Sequence, residues 1–239
     1  MTYKTFAQIK TKIYAELDLE TEDFIQADEF LGYVNDGISI CEAIIHKLGL
    51  EDEYFLTKTT LNLVSGSSDI TLPTNLYMNK IRKVLYSYNN QIFPVDRLRG
   101  KNRFENRELL RNSSTGSGNY YYLIRNDAAT AVPVLELVPS AVETATAALT
   151  LWYIREAAKW ASTSTVDSAL NCDLPSVALQ FLYQYVKFRC YAKEGHPNVE
   201  EAQQEMATFK GDMIAALEQM VEDGDTVVEA DMTHYQEST

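Results

Sequence analysis

The chain has 239 residues, 46% of them apolar and 23% charged, and a formal net charge of −13. This length supports one domain, or one domain with a sizeable insertion, and buries roughly 70% of the extended surface, so no disulfide or metal is needed to hold a core. The acidic balance excludes non-specific binding of nucleic acid by the whole surface, because cations must replace the counterions of DNA, and no apolar run approaches the ~18 residues of a membrane span.

The start, "MTYKTFAQIKTKIYAELDLE", has no continuous apolar signal region, so secretion by that route is not expected. Phe6, Ile9, Ile13 and Leu17 recur at three and four residues and predict an amphipathic helix. After the acidic break "ETEDFIQ", Asp28 is the expected N-cap of a second helix, with the stripe Phe30, Val34, Ile38, Cys41, Ile45 and Leu48 and a C-cap at Gly49.

The pattern changes at Thr57. "TKTTLNLVSGSSDITL" alternates and is rich in Thr and Val, which predicts a hairpin turning at "SGSSD". Ile70-Thr71-Leu72 then pairs, on this reading, with a basic strand from about Ile81, Pro73 lying between them. "KIRKVLYSYNNQIFPV" predicts a hairpin with Asn89-Asn90 at the turn. Two more strands flank "NDAAT", and "ATAALTLWYIRE" is the last long one. Six or seven short antiparallel strands are expected, with no crossover helix among them.

Helical periodicity returns after Pro175. Val177, Phe181, Tyr185, Phe188 and Ala192 form one stripe, and Leu182, Val186 and Cys190 widen it, which predicts a central helix ending at Gly195. The last helix opens after Pro197, with Glu200 and Glu201 in its first turn and the stripe Ala202, Met206, Phe209, Met213, Leu217 and Met220. The expected fold is α+β: a helical bundle of two N-terminal helices (residues 1–56) and two C-terminal helices (157–224). An antiparallel β-rich subdomain (57–156) is inserted between them, and an extended C-terminal arm (225–239) follows.

Three cysteines without CxxC spacing, Cys41, Cys172 and Cys190, suggest reduced thiols in a cytoplasmic fold. His46, His196 and His234 have no ligand spacing, "SSTGSGNYYY" lacks the lysine of a phosphate cradle, and no GxSxG elbow occurs. No catalytic residue, metal or cofactor is therefore assigned. Glu42 is the nearest candidate for an acid with a raised pKa and reads more simply as a solvated helix charge. Tyr86, Tyr88, Tyr120, Tyr121 and Tyr122 read as cross-strand aromatic pairing, with a base-stacking platform as the alternative.

The charge is unevenly distributed. Residues 78–125 carry ten Lys/Arg and three Asp/Glu, whereas residues 173–239 carry four and thirteen. Such asymmetry points to partners. In "DRLRGKNRFENRELLRN", Arg97, Arg99, Lys101, Arg103, Arg107 and Arg111 are candidate interface residues, since interfaces select Arg and Tyr. A solvated loop is the plainer alternative.

Several stretches occur in a recognisable order: "FLGYVNDGISICEAI", "ITLPTNL", "VLELVPSA" followed by "LTLWYIREAAKW", and "DLPSVALQFLYQYVKFRCYAKEG". On these, the chain resembles the head–tail adaptor (connector) proteins of tailed bacteriophages, short-tailed type. The resemblance implies a virion protein, made in the host cytoplasm and seated in the neck between head and tail. There it would form a ring of about twelve copies, a closed head-to-tail assembly. The ring would dock under the portal protein, extend the channel through which genomic DNA passes without sequence-specific binding, and receive tail or nozzle proteins. The resemblance also implies that the arm grips the portal, with Val227, Val228, Met232 and Tyr235 as apolar anchors in an acidic segment. The competing readings are a cell-wall (peptidoglycan) hydrolase carried in the virion and a non-viral protein-binding scaffold.

Overall fold

A computed structural model describes residues 5–17, 25–111, 120–127, 132–162 and 171–224. The architecture is α+β, and the chain divides into two units, Met1–Tyr54 with Ala157–Thr239, and Phe55–Glu156.

The first unit is helical. Helix α1 (Phe6–Glu16) begins with a capping box, in which the Thr5 hydroxyl accepts from the Gln8 N–H and the Gln8 side chain accepts from the Thr5 N–H. It buries Phe6, Ile9 and Ile13. Helix α2 (Ala27–Leu48) starts two residues earlier than an N-cap at Asp28 would place it. Gln26 is its N-cap, and Asp28 and Glu29 fall in the first turn, where the helix dipole favours carboxylates. Gly49 closes α2 in the left-handed region, with φ 78°. A short helix α3 (Glu51–Tyr54) follows, and α5 (Ser176–Glu194) and α6 (Val199–Gly224) complete the unit.

Helix α5 packs against α1, α2 and α6, which explains why it is apolar on more than one side. Its buried stripe runs through Ala178, Leu182, Val186 and Cys190, while Ala192 is exposed. Gly37 permits the close approach of α2 and α5, since a Cβ there would lie 2.4 Å from Leu182 Cδ1. On α6, Ala202, Met213 and Leu217 are buried, but Met220 is 48% exposed, so the inward stripe stops at Leu217.

Glu42 is a correction. It is 5% exposed and accepts the Ala157 N–H at 2.7 Å, so it is a buried structural carboxylate and not a solvated charge. Asn35 does similar work about two turns away, donating to the Trp160 carbonyl (2.9 Å) and accepting the Trp160 N–H (3.1 Å).

The second unit holds two four-stranded sheets. One has the order β1 (Leu56–Leu63), β8 (Ala145–Arg155), β3 (Leu76–Tyr88), β4 (Gln91–Pro94), and the other β2 (Asp69–Thr71), β7 (Pro133–Val138), β6 (Tyr121–Asn126), β5 (Asp96–Arg97). A single apolar cluster draws on both sheets, with Val84, Leu149 and Leu151 from one and Leu135, Leu137 and Tyr122 from the other.

Two hairpins form as expected. Asn89 (φ 48°) and Asn90 (φ 62°) turn β3 into β4, and β6 pairs antiparallel with β7. The hairpin expected over residues 57–72 does not form. The backbone of its intended turn is taken elsewhere: Leu137 N–H donates to Ser68 O (2.7 Å) and Gly66 N–H to Ala141 O (2.8 Å). Strand β1 therefore pairs with β8 and β2 with β7. For the same reason Ile70–Leu72 and the basic strand at Ile81 are not partners, because they lie in different sheets.

A crossover helix is also present, against expectation. Helix α4 (Arg103–Arg111) lies between β5 and β6, which pair in parallel. A parallel pair needs a long return connection of this kind. The "SSTGSG" stretch and the arm from residue 225 lie outside the described residues.

Candidate assembly surface

The arginine stretch is only partly a loop: Arg97 ends β5, Arg99 and Lys101 lie in the connecting segment, and Arg103–Arg111 form helix α4, none of whose residues is buried. Phe104 is 60% exposed and Leu109 76% exposed, so α4 presents apolar as well as cationic side chains to its surroundings. What holds so polar a helix on the sheet is one carboxylate. Glu136, 5% exposed on β7, accepts from Arg107 Nε at 2.6 Å and from Arg125 Nε at 3.2 Å. Arg125 also reaches Asp69 on β2 at 2.5 Å, and Arg107 reaches Glu108.

The Glu136 hydrogen bond, outweighing desolvation, raises Arg107 above the ordinary guanidinium value. Desolvation opposes the charge of Arg125, but Asp69 and Glu136 more than offset it. Both arginines therefore serve the fold. Arg111 makes only a loose 4.0 Å pair with Glu108 on the exposed helix.

Arg97, Arg99, Lys101 and Arg103 differ from these. Among the described residues no carboxylate forms an ion pair with any of the four, and all are exposed. Arg103 lies over its neighbour Phe104, 4.9 Å from the ring centre. Burial raises the pKa of the Tyr122 phenol, and Arg97 and Arg99 oppose that rise, which places both guanidinium charges beside it. Arg97, Arg99, Arg103 and Arg125 border a cleft of about 580 Å³ whose walls include Leu98, Phe104, Leu123 and Ile124. A second cleft of about 310 Å³ shares Arg97 and Arg99 and adds Arg82 and Lys83 of β3.

Three of the five tyrosines are core residues, whereas Tyr121 is half-buried and Tyr88, 43% exposed, stacks on Tyr86 at 6.0 Å. Tyr86, Tyr120 and Tyr122 are 2–4% exposed, and Tyr86 meets Tyr120 edge-to-face at 5.0 Å. Rings packed in this way cannot offer a face to a base, so pairing within the unit accounts for them. Among the described residues, no group of three His, Cys, Asp or Glu is placed to hold a metal, and no helix is long and apolar enough to cross a membrane.

Of the six basic residues singled out in the sequence, the structure gathers Arg97, Arg99 and Arg103 at one cleft with Lys101 close in the chain. It commits Arg107 to Glu136 on the sheet. Sequence reasoning passed over Asp69, Arg125 and Glu136. The available signal was Glu136 itself, a lone acid in the apolar run "PVLELV", whose burial calls for a cationic partner.

The sequence model of one family, described as SU10 adaptor protein, matches residues 1–232. The chain belongs to the SU10 adaptor protein family. Among curated proteins, none matches it. Membership of an adaptor family carries a structural role, that of a phage adaptor protein, and agrees with the resemblance drawn from the order of the sequence elements.

Proposed function

We propose that this SU10-family adaptor acts in the virion neck, as a ring of identical copies docked under the portal that extends the DNA channel and receives tail proteins. The observation that carries the reading is the set of exposed cations Arg97, Arg99, Lys101 and Arg103, which have no carboxylate partner among the described residues of a strongly acidic chain. A closed ring needs two different complementary surfaces on each copy. The basic cleft is one, and the acidic residues 173–239 offer its complement; such charge matching chiefly sets register and partner choice. A net negative chain also suits a channel through which DNA must slide without sticking.

The test is charge reversal of Arg97, Arg99 and Arg103 to Glu, read by ring closure and tail attachment in assembling particles. The reading expects folded protein that closes no ring or recruits no tail. Particles that assemble normally with this variant would remove it.

A further inference from the structure

The cleft bordered by α4 has two chemically different walls. Arg97, Arg99 and Arg103 supply cations that no carboxylate of the described chain neutralises, while Leu98, Phe104, Leu123 and Ile124 supply apolar surface. The one acid lining it, Glu136, is already engaged by Arg107 and Arg125 and does not cancel the rim. A bare inorganic anion would use the guanidiniums and leave the apolar wall wet. An acidic peptide with apolar side chains between its carboxylates would use both, and about 580 Å³ is in the range of sites that hold small ligands.

The chain itself contains such a segment. Residues 222–239 carry six Asp/Glu and no Lys or Arg. In "DTVVEADM", residues 225–232, an extended conformation would, by period-two alternation, put Asp225, Val227, Glu229 and Asp231 on one side. Thr226, Val228, Ala230 and Met232 would fall on the other. Glu229 and Asp231 would then stand roughly 7 Å apart, the repeat of two extended residues. Arg97 and Arg99 have the same two-residue spacing, starting in β5.

We propose that this cleft is the seat of residues 225–232 of a second copy of the chain, Glu229 and Asp231 meeting Arg97 and Arg99 while Val228 and Met232 lie against Leu98 and Phe104. The inference rests on the ring reading and names the contact that would link one copy to the next. It gives the arm a different seat from the portal grip that the resemblance implies, and the two are separable by experiment.

The experiment places a benzophenone photocrosslinker at Val228 of the full chain. Isotopically heavy and light copies are mixed and assembled with the portal, and the sample is divided between native mass spectrometry and irradiation with peptide mapping. The expected result is heavy–light crosslinks into peptides containing residues 98–104 or 123–124. Their yield should fall about tenfold in Arg97→Glu/Arg99→Glu and recover when Glu229→Arg/Asp231→Arg is combined with it. Recovery cannot come from a misfolded variant. Crosslinks confined to one copy, to the portal, or to other surfaces would overturn the proposal, and rings present in the same sample would then leave the ring reading standing. A wild-type sample containing no assembly would take down both.

Discussion

Asp69 and Glu136 face each other directly across β2 and β7. Two like charges at opposed positions of an antiparallel pair repel, so the arrangement is stable only with cations between them. Arg125 bridges both carboxylates, 2.5 Å from Asp69 and 3.2 Å from Glu136, and Arg107 reaches Glu136 from α4. The pair is therefore the anchor by which the arginine helix is attached to the sheet, and it leaves Arg97, Arg99 and Arg103 outside that network.

Glu136→Gln tests the anchor. It keeps the shape and removes the charge, leaving two guanidiniums with weaker acceptors. The cost should be roughly 1–3 kcal/mol in denaturant unfolding, partly screened because Arg125 is half exposed. Hydrogen exchange across residues 103–111 should accelerate more than that of β3. Uniform protection in the variant would show that α4 is held by something else.

Gly37→Ala sets two effects against each other. Alanine favours a helix by up to ~1 kcal/mol over glycine. Its Cβ would lie 2.4 Å from Leu182 Cδ1 and 2.9 Å from Tyr185 Cδ1, in a fully packed seam, and overpacking costs about 1–3 kcal/mol. Overpacking wins, and the melting temperature should drop. Gly32, with nothing within 4 Å of an added Cβ, is the control, and Gly32→Ala should raise stability by about 0.5–1 kcal/mol.

Glu42→Ala should cost about 1–3 kcal/mol, because it strips the buried Ala157 N–H of its acceptor. Glu42→Gln, which keeps an acceptor oxygen, should recover most of the loss. Equal unfolding midpoints for the two variants would mean that the side-chain volume, not the hydrogen bond, is what matters.

The alkaline limb of the stability curve follows from buried neutral groups. Burial lifts the Cys172 thiol to about 11 and the Cys190 thiol to about 12, from 9.0. Burial lifts the Tyr33 and Tyr86 phenols to about 12, from 10.0, with Glu29 also opposing ionisation of Tyr33. Each group prefers its protonated form in the fold, so its contribution is complete below the ordinary value and is lost as pH rises through the raised one. Urea midpoints should hold level up to about pH 9 and fall between roughly pH 9 and 12. Tyrosinate absorbance from Tyr33 and Tyr86 should appear only with unfolding. Midpoints that stay level to pH 11 would contradict these assignments.

What could be read from the sequence was local. Phe6, Ile9 and Ile13 mark α1 by spacing alone, Gly49 and Gly195 mark helix ends because left-handed backbone favours glycine, and Asn89-Asn90 marks a turn for a related reason. What could not be read was the choice of distant partners. Leu61 pairs with Leu149, and Glu42 accepts a hydrogen bond from a residue 115 positions later, and nothing beside either residue signals it. Helix α4 was hidden because only Phe104, Leu109 and Leu110 are apolar in it, too few for a stripe. The same absence kept Arg107 indistinguishable from Arg97 and Arg103 until Glu136 was found opposite it.

The measurement that tests the adaptor account most directly is native mass spectrometry of the wild-type chain, alone and co-expressed with a portal protein from the same phage. The account predicts a portal complex carrying about twelve copies, the closed ring that head-to-tail contacts produce. A chain that stays monomeric beside an intact portal ring would contradict it.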